Sequence, residues 1–400
     1  MKRVALVTCY FHPNYGSMLQ AFATQKMLDD WQIPCEHIAI DGLRPGLKAA
    51  QARFYLRRIL DPQIFTGTFL RILRKRMQKL TRPGSLGADL ARRSRCFEGF
   101  CREHFRLSPV YPNRAALTEA CKNYTDILVG SDQLWLPSNI AADYYTLNWA
   151  PDAVNKISYA TSFGVSALPR EQHKAAGEFL RRLDWISVRE RSAVELVQKY
   201  AGRKAQLVCD PTLLFTAAQW DALRPARPAA EGEYILCYFL GNNRQDREFA
   251  QRLRAKTGCR ILALLHLDEY IPADCNYADE TPFDVGPTEL VDLIARARYV
   301  VTDSFHGSVF SILYRKTFFT SRRVRKEGML CTSTRIDSLF ETLGLENRKI
   351  DGSEPVEECL ARPLDYEPVH RRLEGLRADS KEYLRRALGL APLSTEELHG

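Results

Sequence analysis

His306, in the run Thr302-Asp303-Ser304-Phe305-His306-Gly307, is the side chain whose type and placement best suit proton transfer. An imidazole with an ordinary pKa of about 6.5 can donate a proton at neutral pH. It follows an expected strand and opens an expected helix, where an α/β sheet presents groups to its cleft. The same residues also read as a helix start capped by Asp303 or Ser304, with His306 merely packed. Arg189, at another strand end, and Arg335, after Cys331-Thr332-Ser333-Thr334, offer planar guanidinium forks that match carboxylate or phosphate. Their structural alternatives are a pair with Glu190 or a neighbouring acid for Arg189 and a surface ion pair for Arg335. The loop Asn14-Tyr15-Gly16-Ser17 leads from the first strand into a helix, so backbone N–H groups and the helix dipole can meet an anion there, with Gly16 permitting close approach. Ser17 followed by Gln20 equally reads as a capping box. Ser131 and Asp132 again follow a strand, and Asp132 can orient or deprotonate a hydroxyl. Ser162 is an anion donor or part of a plain turn, and Asp210-Pro211-Thr212 is assigned a structural role.

These residues need a sheet edge to converge on. Short runs rich in Val, Ile and Leu alternate with amphipathic stretches, the pattern of parallel sheets covered by helices. Strands are expected at 3–10, 35–40, 126–129, 156–159, 185–188 and 206–209, then at 234–240, 260–265 and 299–302. Helices are expected at 17–30, 246–256, 288–297 and 371–388. Residues 223–233, LRPARPAAEGE, lose all periodicity and read as a linker. The expected fold is therefore α/β, with two doubly wound Rossmann-like domains facing across a cleft: residues 1–222, residues 234–370, and a C-terminal helix from 371 to 400 returning to the first domain. A chain of 400 residues exceeds the roughly 250 to 300 at which one core stops growing, in keeping with two.

The net charge of +9 is unevenly spread. Between Arg44 and Arg106 sixteen Lys and Arg face four acids, so this basic helical insertion carries +12 and the remainder about −3. Within it Phe69, Ile72, Leu73, Met77 and Leu80 fall at helical spacing beside Arg71, Arg74, Lys75, Arg76 and Lys79. Such a helix can lie on an anionic membrane surface or hold a polyanionic substrate, or it can be a solvated cover. Nucleic acid is not expected as a partner, since the segment has few interleaved aromatics and no recognised binding motif. No run of about 18 apolar residues and no signal peptide is found, so a cytoplasmic location, with peripheral contact at the inner membrane face through 44–106, is expected. Eleven cysteines without a CxxC pair read as thiols, and no residue cluster requires a metal.

Several segments together resemble the polysaccharide pyruvyl transferase family: Asn14 to Phe22, Gly130 to Trp135, Ser158 to Gly164, Ser187 to Glu190, Asp210 to Leu214, and Thr302 to Ser311. Their order and spacing extend over most of the chain. The resemblance implies a fold like that of the two-domain GT-B glycosyltransferases. It also implies transfer of the pyruvyl unit of phosphoenolpyruvate to sugar hydroxyls of a glycan or lipid-linked oligosaccharide, forming a ketal without any further cofactor. Such a site binds two anions, protonates the methylene carbon, and helps a hydroxyl attack. The implied catalytic residues are His306 and Asp132. Substrate contacts are expected from Asn14, Tyr15, Gly16, Ser17, Gln20, Ser131, Gln133, Ser162, Arg189, Ser304, Gly307, Ser308 and Arg335, with Trp135 a stacking surface for a sugar ring. Many relatives carry an Arg where this chain has Ser304, so another cation must grip the anion here. The alternative is a glycosyltransferase using a nucleotide sugar, although no clear acidic ribose ligand stands in the second half.

Overall fold

A computed structural model describes residues 2–58, 86–266, 271–323 and 334–392. Among these described residues eleven strands form two all-parallel sheets. The first contains β1 (Val4–Val7), β2 (Cys35–His37), β3 (Asp126–Val129), β4 (Asn155–Thr161), β5 (Trp185–Val188) and β6 (Gln206–Leu207), in the order β2-β1-β3-β4-β5-β6. The second contains β7 (Tyr234–Tyr238), β8 (Arg260–Leu264), β9 (Tyr299–Thr302), β10 (Thr317–Ser321) and β11 (Lys349–Ile350), in the order β11-β10-β9-β7-β8. Helices cover both faces, so the central strands are apolar throughout; all four residues of β1, VALV, are buried. Each sheet reverses its strand order once, at β1/β3 and at β7/β9, and ligands of open α/β sheets bind outside the carboxyl ends of strands at such points.

The expected strands all form, several of them shorter than expected. The ladder of β1 stops at Val7, so Thr8, Cys9 and Tyr10 leave it to begin the loop that feeds helix α1 (Tyr15–Asp30). Two strands were not anticipated. Thr317–Ser321 alternates no apolar pattern and is held by its pairing with β9, while Lys349–Ile350 spans two residues beside β10.

The basic insertion lies partly outside the described residues, including the amphipathic stretch at 69–80. Its described flanks are helix α2 (Arg44–Arg57) and helix α3 (Leu86–His104). Not all of its charge faces solvent. Arg93 is buried and donates to the carbonyls of Leu265 (2.5 Å) and Pro282 (2.6 Å), strapping α3 to the second sheet's loops. Arg106 pairs with Asp29, and Arg44 with Asp41. No helix among the described residues is long and apolar enough to cross a membrane.

The halves interlock. One cluster of buried apolar side chains runs from β1 and α1, through Phe97 and Phe100 of α3, to Tyr238, Val285, Phe305 and Phe310. The final helix, Tyr366–Ala387, returns to the first sheet: Tyr383 donates to the carbonyl of Ser158 (2.9 Å), and Ser380 Oγ accepts from the Cys209 N–H (2.9 Å). The irregular segment 223–233 is pinned by Asp292, a buried carboxylate that accepts from Arg224 Nε (2.8 Å), Arg296 Nε (2.9 Å) and the Ala229 N–H (2.8 Å).

Asp292→Ala leaves that N–H and two guanidinium groups without their acceptor, so a loss of about 1–3 kcal/mol in chemical denaturation is expected. A change below about 0.5 kcal/mol, the scatter of ordinary surface substitutions, would show that the segment is held by something else.

Candidate active site

Both switch points open onto one cleft of about 520 Å³. The first half contributes Cys9, His12, Asn14, Tyr15 and Ser17 after β1, and Asp132 and Gln133 after β3. The second half contributes Tyr238 to Leu240 after β7, His266 after β8, Ser304 to His306 after β9 and Arg323 after β10. Arg335, on the helix Thr334–Leu343, completes the wall.

A chain of charges lies beneath this surface. Arg189 is almost wholly buried; its Nη1 donates to Asp210 Oδ2 at 2.6 Å and its Nη2 to Asp132 Oδ1 at 3.3 Å. Asp210 also accepts from Ser131 Oγ (2.8 Å) and from the N–H and hydroxyl of Thr212 (3.1 and 2.7 Å). Burial works to raise the Asp210 carboxyl, but the facing His306, Arg189 and the Thr212 hydrogen bonds outweigh it and hold it well below the usual carboxylate range. Asp132 behaves alike: burial raises its carboxyl, while Arg189, His306, Arg335 and the 2.6 Å hydrogen bond from Ser17 Oγ bring it far below normal. Its backbone has φ +87°, a left-handed conformation that costs a non-glycine residue of order 1–3 kcal/mol. That strain turns the carboxylate from the end of β3 toward Arg189 and Ser17.

Arg335 differs from Arg189. Among the described residues its nearest carboxylate oxygen, Asp132 Oδ1, is 4.0 Å from Nη1, and its Nε has no hydrogen-bond partner. Burial, then the like charge of Arg189, pushes its guanidinium down to about 9. A cation so poorly compensated at a cleft wall gains from any anion that arrives. Arg323 supplies a second guanidinium, held by the Asp303 carbonyl (3.1 Å from Nη2) and carboxylate (3.5 Å from Nε).

His306 sits in the first turn of the helix Phe305–Leu313, which Ser304 caps by accepting the Gly307 N–H at 3.3 Å. Its Nε2 faces Asp210 Oδ2 at 3.6 Å, an ion-pair rather than a hydrogen-bond separation. Its Nδ1 edge lies over Gly16, where an added Cβ would come within 1.9 Å of Nδ1. Gly16 therefore admits the imidazole of the second half to the first turn of α1.

Several expectations are redistributed. Arg189, anticipated as an anion holder, is locked inside the charge chain and does not line the cleft. Ser17 does not cap α1: Asn14 does, its Oδ1 accepting from the Ser17 N–H at 3.1 Å, and the Ser17 hydroxyl goes to Asp132 instead. Gln20 is buried behind the wall, its amide donating to the Ser17 carbonyl. Ser131 and Ser162 lie in the same inner layer, Ser162 Oγ closing a turn with the Gly164 N–H. Gly307 packs on Thr302, and Ser308 bridges to Thr320 and the Ser304 carbonyl. Trp135 is fully buried with its indole donating to the Tyr145 carbonyl, so it presents no face to a sugar. Asn14, Tyr15, Asp132, Gln133, Ser304, His306 and Arg335 do line the cleft.

Asp210, assigned above to a merely structural turn, proves to be the carboxylate behind His306. Its position just past β6 was the available signal, since the other cleft residues also follow strand ends. His266 follows β8 in the same way and was passed over. Arg323 was hidden because the strand before it went unrecognised.

Alanine at position 16 is the better helix former, so Gly16→Ala should stabilise α1 unless His306 truly occupies that space. A loss of about 1–3 kcal/mol from overpacking is expected, read from thermal unfolding, and a stabilised variant would remove the contact. The two depressed carboxyls contribute stability that is present above the ordinary carboxylate pKa of about 4 and is lost as pH falls below it. Arg189→Met should cost about 3–5 kcal/mol near neutrality and flatten this acid-side loss, because the carboxylates no longer gain from being ionised. Melting curves between pH 3 and pH 7 with equal slopes for both proteins would contradict the buried chain.

In fold the chain is similar to S. aureus MnaA in complex with UDP, at 10% identity and a TM-score of 0.50, with 98% of each chain covered. It is likewise similar to a UDP-N-acetylglucosamine 2-epimerase, at 11% identity and a TM-score of 0.52, covering 97% of this chain and 95% of that one. At such identities the likeness is one of architecture, the paired Rossmann-like domains of the GT-B fold. No curated protein matches the chain in sequence. The model of the family described as polysaccharide pyruvyl transferase matches residues 14–320, from the cap of α1 to within β10 and so across both walls of the cleft; the chain belongs to that family.

Proposed function

We propose that the chain transfers the pyruvyl unit of phosphoenolpyruvate to hydroxyls of a sugar, on a glycan or lipid-linked glycan precursor, closing a ketal and releasing phosphate. The observation that carries this reading is Arg335, a buried guanidinium at the cleft wall without a close carboxylate of its own, beside His306. The donor carries a carboxylate and a phosphate, and Arg335 with Arg323 supplies two forks for two anions. Helix α1 opens at the same wall, and its dipole adds to the attraction.

His306 then delivers a proton to the methylene carbon from Nδ1, the nitrogen turned away from Asp210. Asp210, behind Nε2, keeps the ring oriented for the transfer. Positive charge developing at the central carbon is met by the acceptor oxygen, and the bond to phosphate breaks. Asp132, expected to act as the base, is held too acidic to take a hydroxyl proton efficiently. Its role here is to hold Ser17 and balance Arg335. Gln133 and Asn139 line the cleft and offer amides to sugar hydroxyls.

The test is phosphate release from phosphoenolpyruvate with a sugar acceptor, mass spectrometry of the product, and a parallel assay for nucleotide release from nucleotide sugars. His306→Gln should lower turnover about 10²- to 10⁴-fold while the protein stays folded. Arg335→Lys should raise the KM for phosphoenolpyruvate about tenfold or more, since an ammonium lacks the fork. Nucleotide release without any pyruvyl increment on the acceptor would replace this reading with glycosyl transfer.

A further inference from the structure

A second imidazole lines the cleft, fixed on a different support. His266 stands two residues past the end of β8, and its Nδ1 lies 3.0 Å from Asp274 Oδ2. Asp274 is in turn gripped by Arg247, whose Nε (2.9 Å) and Nη2 (2.6 Å) both donate to Oδ1. Arg247 is itself anchored to the carbonyls of Asn243 (3.0 Å) and Gly241 (2.9 Å). The carbonyl of the residue before, Leu265, takes the hydrogen bond from Arg93. Thus both the ring and its backbone are held, and the side chain is only 7% exposed.

The other ring nitrogen, Nε2, is buried without a hydrogen-bond partner. An ionised carboxylate only accepts, so the proton of the neutral ring resides on Nδ1 and the lone pair on Nε2. A buried polar atom left unpaired costs free energy, and a nitrogen in this state at a cleft wall is matched to a hydroxyl that donates to it. Among the described residues of the wall no other suits that task as well. Asp132 is too acidic, Arg323 and Arg335 are donors only, and His306 is already assigned as the acid. His12, the remaining imidazole of the cleft, is exposed, contacts Phe11, and has no carboxylate in hydrogen-bond range among the described residues.

We propose that His266 is the general base toward the acceptor sugar, its Nε2 taking the proton of the attacking hydroxyl while Asp274 and Arg247 act as positioning residues. This role rests on the pyruvyl-transfer reading. As His306 protonates the methylene carbon, the acceptor oxygen bonds to the central carbon and its proton passes to His266. Phosphate departs with the electron pair of its C–O bond, and a second hydroxyl attacks to close the ketal. Of the two hydroxyl protons released, one restores that spent on the new methyl group and the other leaves on phosphate.

The experiment compares wild type, His266→Gln, His266→Asn and His12→Gln on whichever of a set of p-nitrophenyl hexosides the wild type pyruvylates fastest. Phosphate release gives kcat and KM, and protection by phosphoenolpyruvate in thermal unfolding reports the donor site. Both His266 variants should keep that protection and lose kcat about 10²-fold or more. They should also lose the fall in kcat toward acid pH that a base must show in the wild type. Unimpaired kcat with an unchanged pH profile in the His266 variants, or a loss confined to His12→Gln, overturns the role while leaving pyruvyl transfer intact. A loss of phosphoenolpyruvate protection in the His266 variants would instead make His266 an anion ligand and also overturn it. A wild-type chain releasing no phosphate with any of these acceptors overturns the pyruvyl-transfer reading, and this role falls with it.

Discussion

The guanidinium of Arg189, with 1% of its side chain exposed, is held between the carboxylates of Asp210 and Asp132, and Ser17, Ser131, Thr212, His306 and Arg335 all meet that arrangement. Burying three charges is costly, and a well-packed apolar core in their place is often as stable. What the charges supply is position. Asp210 stands behind His306 from one end of the chain, while Asp132 at the other end holds the Ser17 hydroxyl and partly balances Arg335. Because Asp132, Arg189 and Asp210 follow β3, β5 and β6, the ion chain also ties together strand ends that backbone pairing leaves free. The left-handed backbone at Asp132 is tolerated because the guanidinium and hydroxyl it reaches compensate for the strain.

A cleft between two sheets is useful only if its width is set, and here several contacts set it. Tyr15, at the start of α1, donates to the carbonyl of Val285 in the second half at 3.0 Å. Arg93 clasps Leu265 and Pro282 from the other direction. Gly16 lets His306 approach α1 closer than any side chain would allow. Together with the continuous apolar cluster, these make His306 of one half and Asp210 of the other a single unit. The GT-B architecture provides two switch points, and this chain fills the space between them with cations and imidazoles.

The two histidines of the proposed mechanism have parallel supports on separate sheets. His306 faces Asp210 at ion-pair distance, while His266 is hydrogen-bonded to Asp274, whose charge Arg247 largely neutralises. Asp274, gripped by the guanidinium of Arg247, fixes the orientation of the His266 ring. The proposed division between acid and base assigns one role to each of these differently supported rings.

Much of the architecture was legible from the sequence because it rests on local periodicity. Runs such as VALV and DILV are short and apolar on both faces, which calls for a parallel sheet under helices, and the loss of period at 223–233 marks the crossing between sheets. The motifs around Asn14, Asp132 and His306 could likewise be singled out, since each follows a strand. Which of those residues reach the cleft was not legible. Trp135 and Arg189, expected to meet substrate at the cleft, prove to be interior, while Asp210, expected to shape a turn, proves to stand behind His306. Arg323 and His266 gain their place from pairings with Asp303 and Asp274, and Arg93 from carbonyls 172 and 189 residues away. Local sequence decides the period of an element and hence its type. The direction a side chain takes at the end of a strand depends on charges and carbonyls brought there by distant segments, and only the folded chain brings them together.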